Sequence, residues 1–166
     1  MYAAFVLAVA VERLLELRVA RTNAAWSRKQ GGREYGRGHY PVMVVLHTGL
    51  LAGCLLEVPL AHRSFLPALG WPMIAVVLAT QALRWWCITT LGPHWNTRII
   101  VVPQAPLVRA GPYRWMRHPN YLAVAAEGVA LPLVHSAWVT AVVFTVANAA
   151  LLTVRIRAED RALADA

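Results

Sequence analysis

Apolar residues run along this chain in blocks too long and too even for a water-facing helix or strand. A helix needs about 20 mostly apolar residues to cross a bilayer, and four regions offer that: Tyr2 to Val19, Pro41 to Ala61, Phe65 to Leu91 and Tyr121 to Val154. The third is long enough to tilt or to extend past the bilayer. The fourth is too long for one crossing, and Pro132, His135 and Ser136 interrupt it near its middle. Proline ends or kinks a helix, and serine is a good N-cap. The fourth region is therefore expected to fold as a helical hairpin. The pattern predicts an all-α, polytopic membrane bundle of five transmembrane helices ending in that hairpin, built as a single domain over residues 1–166. The first run is read as retained rather than as a signal peptide, because Glu12, Arg13 and Glu16 interrupt it and no small-residue cleavage site follows.

Composition supports lipid as the solvent. Of the 166 residues, 58% are hydrophobic and 14% charged, against about 25% charged in a soluble domain. The formal net charge of +8 is compatible with nucleic acid or with an anionic membrane surface. Its distribution favours the membrane, because the basic residues sit in short loops between apolar runs. Arg18, Arg21, Arg28, Lys29, Arg33 and Arg37 surround the first loop. Arg98, Arg109, Arg114 and Arg117 follow the third run, Arg155, Arg157 and Arg161 follow the last, and the second loop holds only Arg63. By the positive-inside rule the first three groups are cytoplasmic, which leaves the N-terminus outside and the C-terminus inside. Cys54 and Cys87 both lie in apolar runs and suggest neither a disulfide framework nor a metal site.

Most polar residues able to do chemistry fall on the expected cytoplasmic side. The richest stretch is Leu91 to Tyr121. Gly111-Pro112 signals a turn, and Pro119 suits the first turn of a helix. His118 then stands at a helix entrance, where Arg117, unpaired backbone N–H groups and the helix dipole form an anion site suited to a carboxylate. The second stretch runs from Arg155 to Leu163. Its Glu159 and Asp160 can accept hydrogen bonds from an amine or from ribose hydroxyls, or simply pair with arginines on a solvated helix end. Within the spans, ionisable residues are functional candidates by default. Glu57 lies at a span end, where an interfacial role serves as well as function. Glu127 is either a substrate-pocket residue or a structural partner for Arg84 or Arg155. Glu12, Arg13 and Glu16 are read as a buried structural network, and His47 and Asn148 as satisfied interior groups. An aromatic belt accounts for most of the tryptophans.

Gly111-Pro-Tyr113, Arg117-His-Pro-Asn-Tyr121 and Arg155-Ile-Arg-Ala-Glu-Asp-Arg-Ala-Leu163 resemble the C-terminal signature of the isoprenylcysteine carboxyl methyltransferase family. Glu12-Arg-Leu-Leu-Glu-Leu17, Gly32-Arg-Glu-Tyr-Gly36 and His39-Tyr-Pro-Val-Met-Val-Val-Leu-His47 are similar to a small bacterial subgroup associated with O-methylation of alkyl pyrones or phenolic lipids. The resemblance implies a bacterial cell-membrane enzyme that holds S-adenosyl-L-methionine at its cytoplasmic end and admits a lipid-like small-molecule substrate from the surrounding membrane lipids. It implies that Tyr113, Arg117, His118, Pro119, Tyr121, Glu159 and Asp160 form the cofactor pocket. Asp160 is a departure, since the family often has a second Glu there. Arg98 and Arg109 are candidates for holding the acceptor anion, or are topology charges alone. Neither a metal nor nucleic acid is expected as a partner. Two other readings stay open: a phospholipid N-methyltransferase, and a non-catalytic membrane carrier or assembly protein.

Overall fold

The computed structural model describes residues 1–164. Five α-helices carry the fold: α1 (Tyr2–Lys29), α2 (His39–Leu60), α3 (Pro67–Leu91), α4 (Pro119–Leu133) and α5 (Trp138–Ala164). Two three-residue strands, β1 (Arg33–Tyr35) and β2 (Ile99–Val101), pair antiparallel with Glu34 opposite Ile100. This ribbon was not legible in the sequence, being only three residues long on each side. Short 3-10 turns cover Gly92–His94 and Gly111–Arg114.

The bundle is an all-α membrane fold. By length and composition, α2, α5 and the helical stretch Pro67–His94 can each cross a bilayer. Exposed apolar side chains ring the outside, among them Val45 at 72%, Leu60 at 76% and Val146 at 68% exposure. A soluble monomer seldom carries so large an apolar surface. The other two helices are less regular. The apolar run of α1 is interrupted by Glu12, Arg13 and Glu16, and Glu16 is buried. At about 22 Å of rise, α4 is short of the hydrocarbon thickness.

α1 runs ten residues past the apolar stretch that announced it. Its extension is held by packing: Ala20 lies in a cluster with Ile88 and Trp95. Asn23 Nδ2 donates to the carbonyls of Gly92 (3.0 Å) and Trp95 (2.8 Å). Gly31, at φ +78°, then turns the chain toward β1.

The central core joins Val6 and Val9 of α1, Leu50 and Cys54 of α2, Val77 of α3, Ala130 and Leu131 of α4 with Val134 at its C-cap, and Phe144 of α5. α4 and α5 form the expected hairpin. Pro132 stands in the last turn of α4, and Ser136, at φ +57°, takes the reversal. Ser136 Oγ has no partner among the described residues. The cap comes instead from α2. Glu57 accepts hydrogen bonds from the backbone N–H of Val139 (3.1 Å) and Thr140 (2.7 Å) and from Thr140 Oγ1 (2.8 Å). Arg63 completes the group at 2.9 Å. A carboxylate on the N-terminus of α5 opposes the positive end of its dipole, so Glu57 ties two neighbouring helices together.

Candidate functional site

A cavity of about 370 Å³ opens between the five helices and the irregular segment around β2. One end is built by the two signature stretches. Gly111, at φ +51°, lets the 111–114 turn lie on α3; a Cβ there would come 2.5 Å from Thr90 Oγ1 and 2.9 Å from Trp86 Nε1. That contact carries Tyr113 into the cavity wall. Burial, with the Cys87 thiol beside it, pushes the Tyr113 phenol well above its usual range, so it remains a donor.

Pro119, fully buried, opens α4, and His118 is the N-cap. The protein itself supplies one anion at this helix entrance. Asp160 of α5 lies 3.2 Å from His118 Nε2 and 3.3 Å from the Arg117 guanidinium. One turn into α4, Tyr121 Oη donates to Glu159 at 2.6 Å. Residues some forty positions apart thus meet because the hairpin returns α5 to the level at which α4 begins. Tyr113, Arg117, His118, Tyr121 and Glu159 all line the cavity. Pro119 and Asp160 stand behind that wall, where Pro119 starts the helix and Asp160 holds His118 and Arg117.

The expected acceptor residues divide. Arg98 lines the cavity but is engaged, 2.7 Å from Glu34 and stacked 4.0 Å over the Tyr40 ring. Arg109 is exposed, and its neighbour Val108 is the one in the wall. Glu127 is buried off the cavity, where its Oε2 accepts from Arg84 (2.6 Å) and Arg13 (2.8 Å). Of the roles open to Glu127 in the sequence, the geometry matches the structural partner of Arg84.

Other residues enter: Asn96 and Asn120 carry no role legible in the sequence, and Trp95, read there with the aromatic belt, is instead buried. Trp95, Asn96 and Asn120 line the cavity, and Trp95 Nε1, both amide atoms of Asn96 and Asn120 Oδ1 are buried without a hydrogen-bond partner. Buried polar atoms are ordinarily satisfied, so a set of unfilled ones around one cavity marks a place for a polar ligand. Arg155 donates to the Thr97 carbonyl at 2.9 Å and so fixes the wall opposite α4. At the other end the cavity reaches Arg13, Glu16, His47, Arg84 and Asn148.

The model of the isoprenylcysteine carboxyl methyltransferase (ICMT) family matches residues 73–165. The chain belongs to this family. The matched stretch takes in most of α3, all of α4 and α5, and both signature segments. A Bacillus subtilis protein, the uncharacterized YpbQ, is 45% identical over 154 residues, which are 92% of this chain and 90% of the relative. An uncharacterized Haemophilus influenzae protein is 25% identical over 135 residues, 81% of this chain and 78% of its own length.

The family match and the cavity wall overlap only in part. The signature end of the cavity lies inside the stretch common to ICMT proteins. Arg13, Glu16, Met43, Val44 and His47, which α1 and α2 contribute, precede it. The apolar part of the wall, with Met43 and Val44 on α2 and Leu107 (60% exposed) on the loop after β2, reaches the outer surface of the bundle.

Proposed function

We propose that this protein is an integral membrane methyltransferase that moves a methyl group from S-adenosyl-L-methionine to a carboxyl or a phenol/enol oxygen of a lipid-like acceptor. The observation that carries the reading is the convergence of Tyr113, Arg117, His118, Tyr121 and Glu159 on one end of a cavity that also has an apolar flank at Met43, Val44 and Leu107. Family membership supports the reaction class. The cofactor supplies an activated methyl on a sulfonium, so the protein's task is alignment rather than activation.

The residues present fit that cofactor. Glu159 accepts from ribose hydroxyls or from the amino group. Arg117 and His118 meet the carboxylate, and Asp160 holds both in place. The unfilled atoms of Trp95, Asn96 and Asn120 suit the edges of a nucleobase. Tyr113 and Tyr121 close the pocket around them. The cavity is within the size range of small-ligand sites, and its apolar flank between α2 and the segment after β2 is the entrance for an acceptor dissolved in membrane lipid.

We further read the whole chain as one such unit with five spans in a bacterial cell membrane, its site on the cytoplasmic side and its N-terminus outside. α1 is accommodated because its charges point inward to partners. The basic surface meets anionic headgroups, and no nucleic acid is needed to explain it.

S-adenosylhomocysteine tests the reading. It should raise the melting temperature of the detergent-purified protein, as any ligand selective for the folded state does. His118→Ala and Glu159→Ala should each weaken its binding about tenfold to hundredfold, the loss of one charge-assisted hydrogen bond. Arg161→Ala, on the exposed face of α5, should change little. A folded parent protein with no thermal shift at saturating ligand would refute the proposal.

A further inference from the structure

A second cavity, of about 340 Å³, lies where α1 ends and α2 begins, and Arg28, Gly32, Arg33, Glu34, Arg37 and Ile100 line it. Its shape comes from a tight turn. Gly31 reverses the chain after α1, and the Gly32 N–H donates to the Ser27 carbonyl at 2.8 Å. A Cβ on Gly32 would come 2.6 Å from that oxygen and 3.1 Å from Ile100 Cγ2. The close approach lays β1 against the end of α1 and gathers the guanidinium groups of Arg28, Arg33 and Arg37 around one hollow.

Charge in this hollow is not balanced. Glu34 is the one carboxylate among the lining residues, and its short contact, 2.7 Å, goes to Arg98. Arg28 and Arg37 stand 3.8 Å and 4.0 Å from it, beyond hydrogen-bond distance. Arg33 makes no ion pair among the described residues. Four guanidinium groups face one carboxylate, so three positive charges are unmatched. The negative end of the α1 dipole offsets only about half a charge. Guanidinium forks match phosphate oxygens two at a time, so a phosphate is the ligand chemistry that fits. Position decides its source. α2, which is long and apolar enough to cross a bilayer, begins at His39. Its Val42 and Val45, exposed by 55% and 72%, follow Arg37 by about 7 to 12 Å of helix axis. A phosphate seated among the arginines thus has apolar surface beside it for acyl chains. A free phosphate ion has no use for that surface.

We propose that this hollow holds the phosphate of one anionic phospholipid, bound at a defined site rather than drawn diffusely to the basic loops. The site is independent of methyl transfer and of which leaflet it faces. The seated lipid also braces the ribbon. Glu34 of β1 pairs opposite Ile100 of β2, and Ile100 lines both cavities. The lipid therefore stands behind one wall of the larger cavity.

The test titrates the full chain in detergent with phosphatidylglycerol, with phosphatidylcholine of the same acyl chains, and with inorganic phosphate. Native mass spectrometry counts the lipid retained. One phosphatidylglycerol per chain should be held, about tenfold or more tighter than phosphatidylcholine, whose choline cation faces the surplus positive charge. Arg28→Gln, Arg33→Gln and Arg37→Gln should each weaken it about fivefold, the scale of one basic residue at an anionic lipid surface. Arg21→Gln removes an exposed arginine of α1 outside the hollow and should change it less than twofold. All three arginines of the hollow are exposed, so each variant should melt with the parent in lipid-free detergent, which separates lost binding from lost folding. Phosphatidylglycerol should also slow amide hydrogen exchange over residues 33–35 and 99–101. Equal binding of the two lipids overturns the proposal, and so does an Arg21→Gln loss as large as those of the hollow, which would mean diffuse attraction. Slowed exchange reproduced by millimolar inorganic phosphate alone would overturn the lipid as occupant and leave a free-phosphate site.

Discussion

Removing Glu127 should destabilise the bundle and leave the cofactor end intact. The carboxylate is 6% exposed and accepts from two guanidinium groups through one oxygen. Glu127→Leu keeps roughly the volume and deletes the charge. Among the described residues Arg84 then retains Glu16 alone, at 3.3 Å. Arg13 retains Glu16 at 2.6 Å, Glu12 at 3.8 Å and a hydrogen bond to Gln81 at 2.7 Å. Taking one partner from a buried ion pair costs about 3–5 kcal/mol, chiefly because the other charge is stranded. Since Glu16 still touches both arginines, the loss should fall near the low end, about 3 kcal/mol. If the charge imbalance is the cause, then Arg84→Met combined with Glu127→Leu should cost less than the sum of the two single changes, with a coupling of at least about 1 kcal/mol. Equilibrium unfolding in mixed detergent, followed by far-UV circular dichroism, measures each corner of this cycle. S-adenosylhomocysteine affinity, taken on the folded fraction, should match the parent. Parent-like stability of Glu127→Leu together with weakened ligand binding would refute the structural role and return Glu127 to the pocket.

Two further outcomes are expected, one from the Glu57 cap and one from the asymmetry of basic residues between the loops. Glu57→Gln should lower stability by about 1–2 kcal/mol, the scale of a lost helix cap reinforced by the dipole, because the N-terminus of α5 loses its anion; an unchanged unfolding midpoint would deny Glu57 its tie between α2 and α5. Reporter fusions should find the N-terminus outside and the C-terminus inside, and fusions that report the same side for both ends would rule out five spans.

The membrane class, the helices and the hairpin were legible in the sequence because each depends on local information. Blocks of apolar residues fix α2 and α3 to within a few residues, and Pro132 with His135 and Ser136 marks the reversal before α5, which runs ten residues past its apolar block to Ala164. The paired motifs around His118 and Glu159 carried the family. Their shared end of the bundle followed from the hairpin alone, since two antiparallel helices must bring the start of one beside the end of the other. Side-chain partnerships did not follow, because they depend on rotation about each helix axis and on neighbours distant in sequence. Asp160 read as a departure from the family pattern, and only the fold joins it to His118 and Arg117. Glu127 fitted a pocket and an ion pair equally well until α1, α3 and α4 closed around it. Arg98 looked free until the ribbon of β1 and β2, too short to leave a periodic trace, set Glu34 beside it. His47 and Asn148 read as satisfied interior groups. The tertiary structure alone sets them at one end of a common cavity, because α2 and α5 meet there without filling the space between them.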